Sequence, residues 1–118
     1  MNEIIVKDNI KIENLIYEIR GKQVMLDSDL AMLFGYETKQ LNRQVLRNIN
    51  RFPENYYFQI TDTEYISLRC QNGTLKNGRG EHRKYLPYVF TEYGITMLAG
   101  ILKSELAIKM SLRIVDIF

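Results

Sequence analysis

The 118-residue chain has one cysteine, one histidine, two prolines and no tryptophan. Cys70 has no partner for an internal disulfide, and with only His82 to join it a zinc site is not supported. That pattern fits a reducing compartment, so the expected location is cytoplasmic. One histidine, set in a glycine-rich stretch, makes a Ser/His/Asp triad an unexpected reading. Two prolines and seven glycines are too few for a disordered or fibrous chain. No run approaches the roughly 18 apolar residues that a membrane helix needs. Met1 to Asp8 lacks the basic-then-apolar order of a signal peptide. At 46% apolar and 25% charged, the chain is ordinary globular material, enough for one domain with a real core.

A second absence is local. From Lys39 to Arg51 there is no acidic residue, although the whole chain carries a net charge of only +2. The segment 76–84 holds Lys76, Arg79, Arg83 and Lys84 against one acid, Glu81. The remainder is therefore net negative. A chain so divided suggests one side that faces a polyanion.

The run Leu26 to Arg51 reads as a helix, a turn and a second helix. Asp27 or Ser28 is the expected N-cap of the first, and Leu30, Leu33 and Phe34 share one face. Gly35 is the expected stop, because glycine enters the left-handed region without penalty. Thr38 is the expected cap of the second helix. There Leu41, Val45 and Ile49 should face a core. Lys39, Arg43, Arg47 and Arg51 start two residues earlier on the same period, and two residues turn a helix by about 200°, so the basic row lies nearly opposite. Gln40, Asn42, Gln44 and Asn48 lie between; amides pair with adenine and arginine with guanine. The plainer interpretation is a solvated basic face. A solvated helix, however, usually mixes signs and gains ion pairs at i,i+4, which this one forgoes.

The other elements follow from local signals. Residues 1–14 form an expected N-terminal arm, and 15–118 a single domain. Leu15 to Arg20 and Gln23 to Leu26 are expected strands joined at Gly21-Lys22. Pro53 should end the basic helix, with Phe52 packing inward. Tyr56 to Ile60 and Tyr85 to Phe90 are aromatic strands that could pair, the second broken by Pro87 and so assigned to an edge. Thr61 and Glu64 form a capping box for a helix from Asp62 to about Cys70. The glycine-rich cationic loop 71–84 resembles a wing that follows a phosphate backbone. Thr91 caps a helix from Glu92 to Leu102, and Ser104 caps a last helix that is apolar nearly all round. That last helix implies either a homodimer interface or a chain cut from a longer protein.

Catalytic groups are sparse. Asp27 and Asp29 at a helix start suit the helix dipole, and Glu64 and Glu92 suit caps. A metal-dependent nuclease would need carboxylates converging beside a basic surface, which only Asp27, Asp29 and Glu92 could supply. No metal, no cofactor and no enzymatic activity are expected. The strand tyrosines read as core, with stacking on a single-stranded nucleic acid as the alternative.

Ile16 to Asp27, Asp29-Leu30-Ala31, Leu41-Asn42, Arg47-Asn48-Ile49, Arg51-Phe52-Pro53, Leu86-Pro87-Tyr88 and Phe90 to Ile95 together resemble the ORF-six N-terminal domain family. This family is kin to the KilA-N and Bro-N domains of phages and prophages. The resemblance runs over roughly residues 15 to 118 and departs at Phe34 and Tyr36, where the family carries smaller residues. It implies a DNA-binding module of an antirepressor-like regulatory protein, usually the N-terminal part of a longer chain. It does not carry residue-level contacts, so these come from the charge pattern.

The expectation is an α+β, winged-helix-like domain that binds double-stranded DNA. Gln40, Asn42, Arg43, Gln44, Arg47 and Asn48 would meet bases. Lys39, Arg51, Lys76, Arg79, Arg83 and Lys84 would meet phosphates. The alternative is a protein-interaction module that sequesters a repressor without binding DNA.

Overall fold

The computed structural model describes residues 11–72 and 85–118. Its elements are strands β1 (Ile16–Ile19) and β2 (Lys22–Leu26), helices α1 (Asp27–Phe34) and α2 (Thr38–Arg47), strand β3 (Tyr57–Gln59), helix α3 (Asp62–Asn72), strand β4 (Tyr88–Thr91), and helices α4 (Glu92–Leu102) and α5 (Glu105–Ile117). Short 3-10 turns occupy Ile12–Leu15 and Ile49–Arg51. This is the expected α+β architecture.

The four strands form one antiparallel sheet in the order β1-β2-β4-β3. Side chains alternate across a strand, so the sheet divides two cores. Met25 is paired with Phe90, and Phe90 with Tyr57. These three join Leu30, Leu33 and Phe34 of α1, Leu41 and Val45 of α2, and Ile95, Leu98, Ala107, Met110 and Ile114 of α4 and α5. Val24, Leu26, Phe58 and Val89 point the other way, onto Tyr65 and Leu68 of α3.

The β1–β2 turn departs from the expected position. Ile19 pairs with Lys22, and the two turn residues are Arg20 and Gly21, at φ 56° and 74°. Two positive φ angles in a two-residue connection are what the twist of a hairpin favours. Arg20 takes the left-handed conformation although it is not glycine, and its side chain is held. Its guanidinium donates to both carboxylate oxygens of Glu64, from Nε at 2.7 Å and Nη2 at 3.0 Å, and lies 4.3 Å from the centre of the Phe58 ring. Glu64 also completes the expected capping box with Thr61, accepting its backbone N–H at 2.9 Å. Helix α3 runs two residues past Cys70, and Gln71 exchanges two 3.1 Å hydrogen bonds with the backbone of Glu18 on the sheet edge.

Strand β4 is central, not an edge. Pro87 lies just before the strand, where its missing N–H removes no ladder bond. The Thr91 and Ser104 caps are present, accepting from Gly94 N–H and Ala107 N–H. Helix α5 is buried on one face only: Ala107, Met110, Ser111 and Ile114 are covered, and Ile108, Leu112 and Ile117 are exposed.

Candidate nucleic-acid interface

Helix α1 follows β2 with no intervening loop, so Leu26 is its N-cap and Asp27 its first residue. The expected capping role of Asp27 or Ser28 is thereby displaced. Asp27 is buried, at 2% exposure, and acts as a junction. Its Oδ1 accepts the Ser28 N–H at 2.7 Å. Its Oδ2 accepts both the Asn42 side-chain amide at 2.9 Å and the Tyr88 backbone N–H at 3.2 Å. One carboxylate thus ties together α1, α2 and β4.

Gly35 ends α1 as expected, at φ 79° and ψ 31°. Its chain then turns within three residues. The cap of α2 is Glu37, not Thr38. Glu37 and Gln40 form a reciprocal capping box, in which Gln40 Oε1 accepts the Glu37 N–H at 3.1 Å. Acid and amide at this spacing do the work the sequence assigned to a threonine.

Helix α2 is held by Leu41 and Val45, both fully buried. It ends at Arg47, earlier than Pro53 suggested. Asn48 leaves the helical region at φ −126° and ψ 35°, and its side-chain amide donates to the Gln44 carbonyl at 2.9 Å. An asparagine that satisfies a terminal carbonyl in this way stops a helix without proline. Ile49 therefore falls in the 3-10 turn and is exposed, and Arg51 no longer continues the helical row.

Lys39, Arg43 and Arg47 remain on α2, all exposed. Steps of four residues advance the direction by about 40°, so the three share one side. Arg51 is exposed in the following turn. Gln40 is exposed but committed through Oε1 to its cap, and Gln44 is half-buried.

Asn42 is turned inward. It donates to Asp27 and accepts the Tyr57 hydroxyl at 3.1 Å, which corrects its expected outward reading role. Tyr57 stacks on Tyr88 at 4.9 Å between ring centres. Burial, with the nearby Tyr88 and Asp27 charges, pushes the Tyr57 hydroxyl pKa upward, so it stays a donor to Asn42. Asn48 is likewise occupied at the helix end. Lys76, Arg79, Arg83 and Lys84, with the rest of the expected wing after Asn72, lie outside the described residues.

Leu46 of this face was not singled out in the sequence, and Tyr85, expected on a strand and read as core, lies before β4 and is exposed. Leu46 is 64% exposed and Tyr85 71% exposed. Both line a groove of about 730 Å³ with Leu86, Tyr88, Lys39 and Arg43. Leu46 was legible as an apolar residue outside the Leu41–Val45 row; the position of Tyr85 depended on the sheet. Among the described residues no three His, Cys, Asp or Glu side chains cluster as a metal site, so Asp27, Asp29 and Glu92 do not converge. Nor is any helix among them long and apolar enough to cross a membrane.

The comparisons with curated proteins and with solved structures give no match. The ORF6N domain model matches residues 14–101, three-quarters of the chain, from the 3-10 turn before β1 almost to the end of α4. Helix α5 lies beyond that span, although Ala107, Met110 and Ile114 complete the same core. The hairpin, the α1–turn–α2 pair and the Thr91-capped helix that carried the resemblance all fall within the match, and the chain belongs to the ORF6N domain family.

Proposed function

We propose that the domain binds double-stranded DNA through the exposed side of α2, as part of a phage or prophage regulatory protein of antirepressor-like type. The observation that carries this reading is the alignment of Lys39, Arg43 and Arg47 on one exposed, acid-free helical side, braced by the Asp27–Asn42 junction. A rigid cationic helix after a short turn suits phosphate contacts and entry into a major groove. Arg43 and Arg47 are assigned to base edges, and Lys39 and Arg51 to phosphates. Family membership points the same way, to a phage-type regulatory domain.

The test is selection from a random duplex library at two salt concentrations, followed by binding with the double variant Arg43→Ala, Arg47→Ala. With about six phosphates engaged, log affinity should fall with log salt at a slope near −5. The variant should keep its fold and lose binding. Retardation of random duplex equal to the wild type would remove the assignment.

A second reading is favoured by one feature. Ile108 and Leu112 lie one turn apart on α5 and are both exposed, which suits a protein partner: a second copy of the chain, or a sequestered repressor. Capture of a repressor that survives the double arginine variant but is lost with Leu112→Glu would support it. Concentration-dependent sedimentation abolished by the same leucine variant would identify the second copy.

A further inference from the structure

Leu46 interrupts the chemistry of the proposed reading face. Measured around the axis of α2 from Lys39, Arg43 lies at about +40° and Leu46 at about −20°. A leucine thus stands at the flank of the cationic row, next to Lys39, and not on the buried one, and it is nearly two-thirds exposed. It lines a groove together with Tyr85, Leu86, Tyr88, Lys39 and Arg43. Asp27 also lines this groove, but both its oxygens already accept hydrogen bonds, and Asn42 is used on both its oxygen and its amide. Leu46, Leu86 and the rings of Tyr85 and Tyr88 make most of the lining apolar, while Lys39 and Arg43 make it positive and Thr38 adds a hydroxyl.

A charged polymer with a purely polar edge would leave such an apolar lining without a partner. Duplex DNA has one apolar group in its major groove, the 5-methyl of a pyrimidine, and apolar side chains pack on it. From this geometry we infer that the Leu46–Tyr85 groove is a specificity element that receives pyrimidine 5-methyl groups, while Lys39 and Arg43 hold the flanking backbone and base edge. The inference rests on the DNA-binding reading and deepens it: recognition combines hydrogen bonds with methyl burial. Thymine and 5-methylcytosine present the same methyl, so either base is a source.

The experiment uses short self-complementary duplexes at one salt concentration. Alternating dA/dT is compared with dA/dU, and alternating dG/dC with dG/5-methyl-dC. Each methyl fully buried should change affinity by about fourfold. Preference for dA/dT over dA/dU identifies thymine. Preference for the methylated dG/dC duplex identifies 5-methylcytosine, and both preferences together identify the shared methyl. In Leu46→Ala and Tyr85→Ala the ratios should collapse toward one, whatever the change in affinity for each duplex taken singly. Both positions are exposed, so the fold should survive, as circular dichroism will report. Equal affinity of wild-type protein for methylated and unmethylated duplexes overturns the inference and leaves DNA binding standing. Undiminished ratios in both variants overturn the groove as their source. Absence of binding to all four duplexes overturns the DNA-binding reading with it.

Discussion

The Asn42 amide donates to Asp27 Oδ2 at 2.9 Å, and the same carboxylate oxygen accepts the Tyr88 N–H at 3.2 Å. The cationic helix is therefore fixed to the central strand by one buried acid. Asp27→Ala leaves three donors, the Ser28 N–H, the Asn42 amide and the Tyr88 N–H, without their acceptor and should cost about 3 kcal/mol in urea unfolding. Asn42→Ala should cost about 1–2 kcal/mol by the same measurement. Because the two share a bond, the double variant should fall short of the sum in a mutant cycle. Additive effects would mean the contact does not couple α2 to the sheet.

The inward position of Asn42 separates its role from that of Arg43. If DNA is bound as proposed, Asn42→Ala at a temperature where it is fully folded should retain affinity within about twofold. Arg43→Ala should lose on the order of tenfold, the size of a single base contact. Fluorescence anisotropy on one selected duplex measures both. A larger loss for Asn42 than for Arg43 would reverse the assignment.

Lys39 tests the phosphate contacts. Lys39→Ala should weaken binding to all duplexes about equally and make the salt slope shallower by about one unit. A sequence-dependent loss with an unchanged slope would place Lys39 on a base instead.

The Arg20–Glu64 pair predicts a pH dependence. The hydrogen bond from Arg20 holds the Glu64 carboxyl below the usual glutamate range, assisted by the Thr61 backbone N–H. A depressed folded-state pKa means stability present above the unfolded value and lost as pH falls through the folded one. The pair is partly open to solvent, which screens it, so its contribution is about 0.5–1 kcal/mol. Urea unfolding should show wild type ahead of Glu64→Gln by that amount at neutral pH. The difference should vanish once the medium is acid enough to protonate Glu64 in the folded protein. A gap that persists there would show that the stabilisation does not come from the carboxylate charge.

Gly94 is a steric requirement in the first turn of α4. An added Cβ would collide with the Tyr56 carbonyl, whose oxygen accepts the Thr91 N–H at 3.0 Å. Gly94→Ala should destabilise by about 2 kcal/mol, although alanine is the better helix former by about 1 kcal/mol. Thermal unfolding decides it: a raised midpoint would show that the strand–helix corner can relax.

Sequence alone determined the elements whose signals are local. Gly35 ends α1, the Thr61–Glu64 box starts α3, and Thr91 and Ser104 start α4 and α5. A cap or a left-handed glycine is settled by a few neighbouring residues. The buried rows Leu30-Leu33-Phe34 and Leu41-Val45 were legible for the same reason. Tertiary structure alone decided the rest. Asp27 reads as an ordinary helix-start acid until Tyr88, 61 residues away, lies beside it. Asn42 cannot be told from a base-reading amide until Asp27 and Tyr57 claim it. Pro87 suggested an edge, yet β4 lies between β2 and β3 because the ladder begins just after the proline. Leu46 and Tyr85 become one surface only where α2 passes the start of β4. In each case the deciding partner is distant in the chain, and no periodicity or spacing records which distant groups a folded sheet brings together.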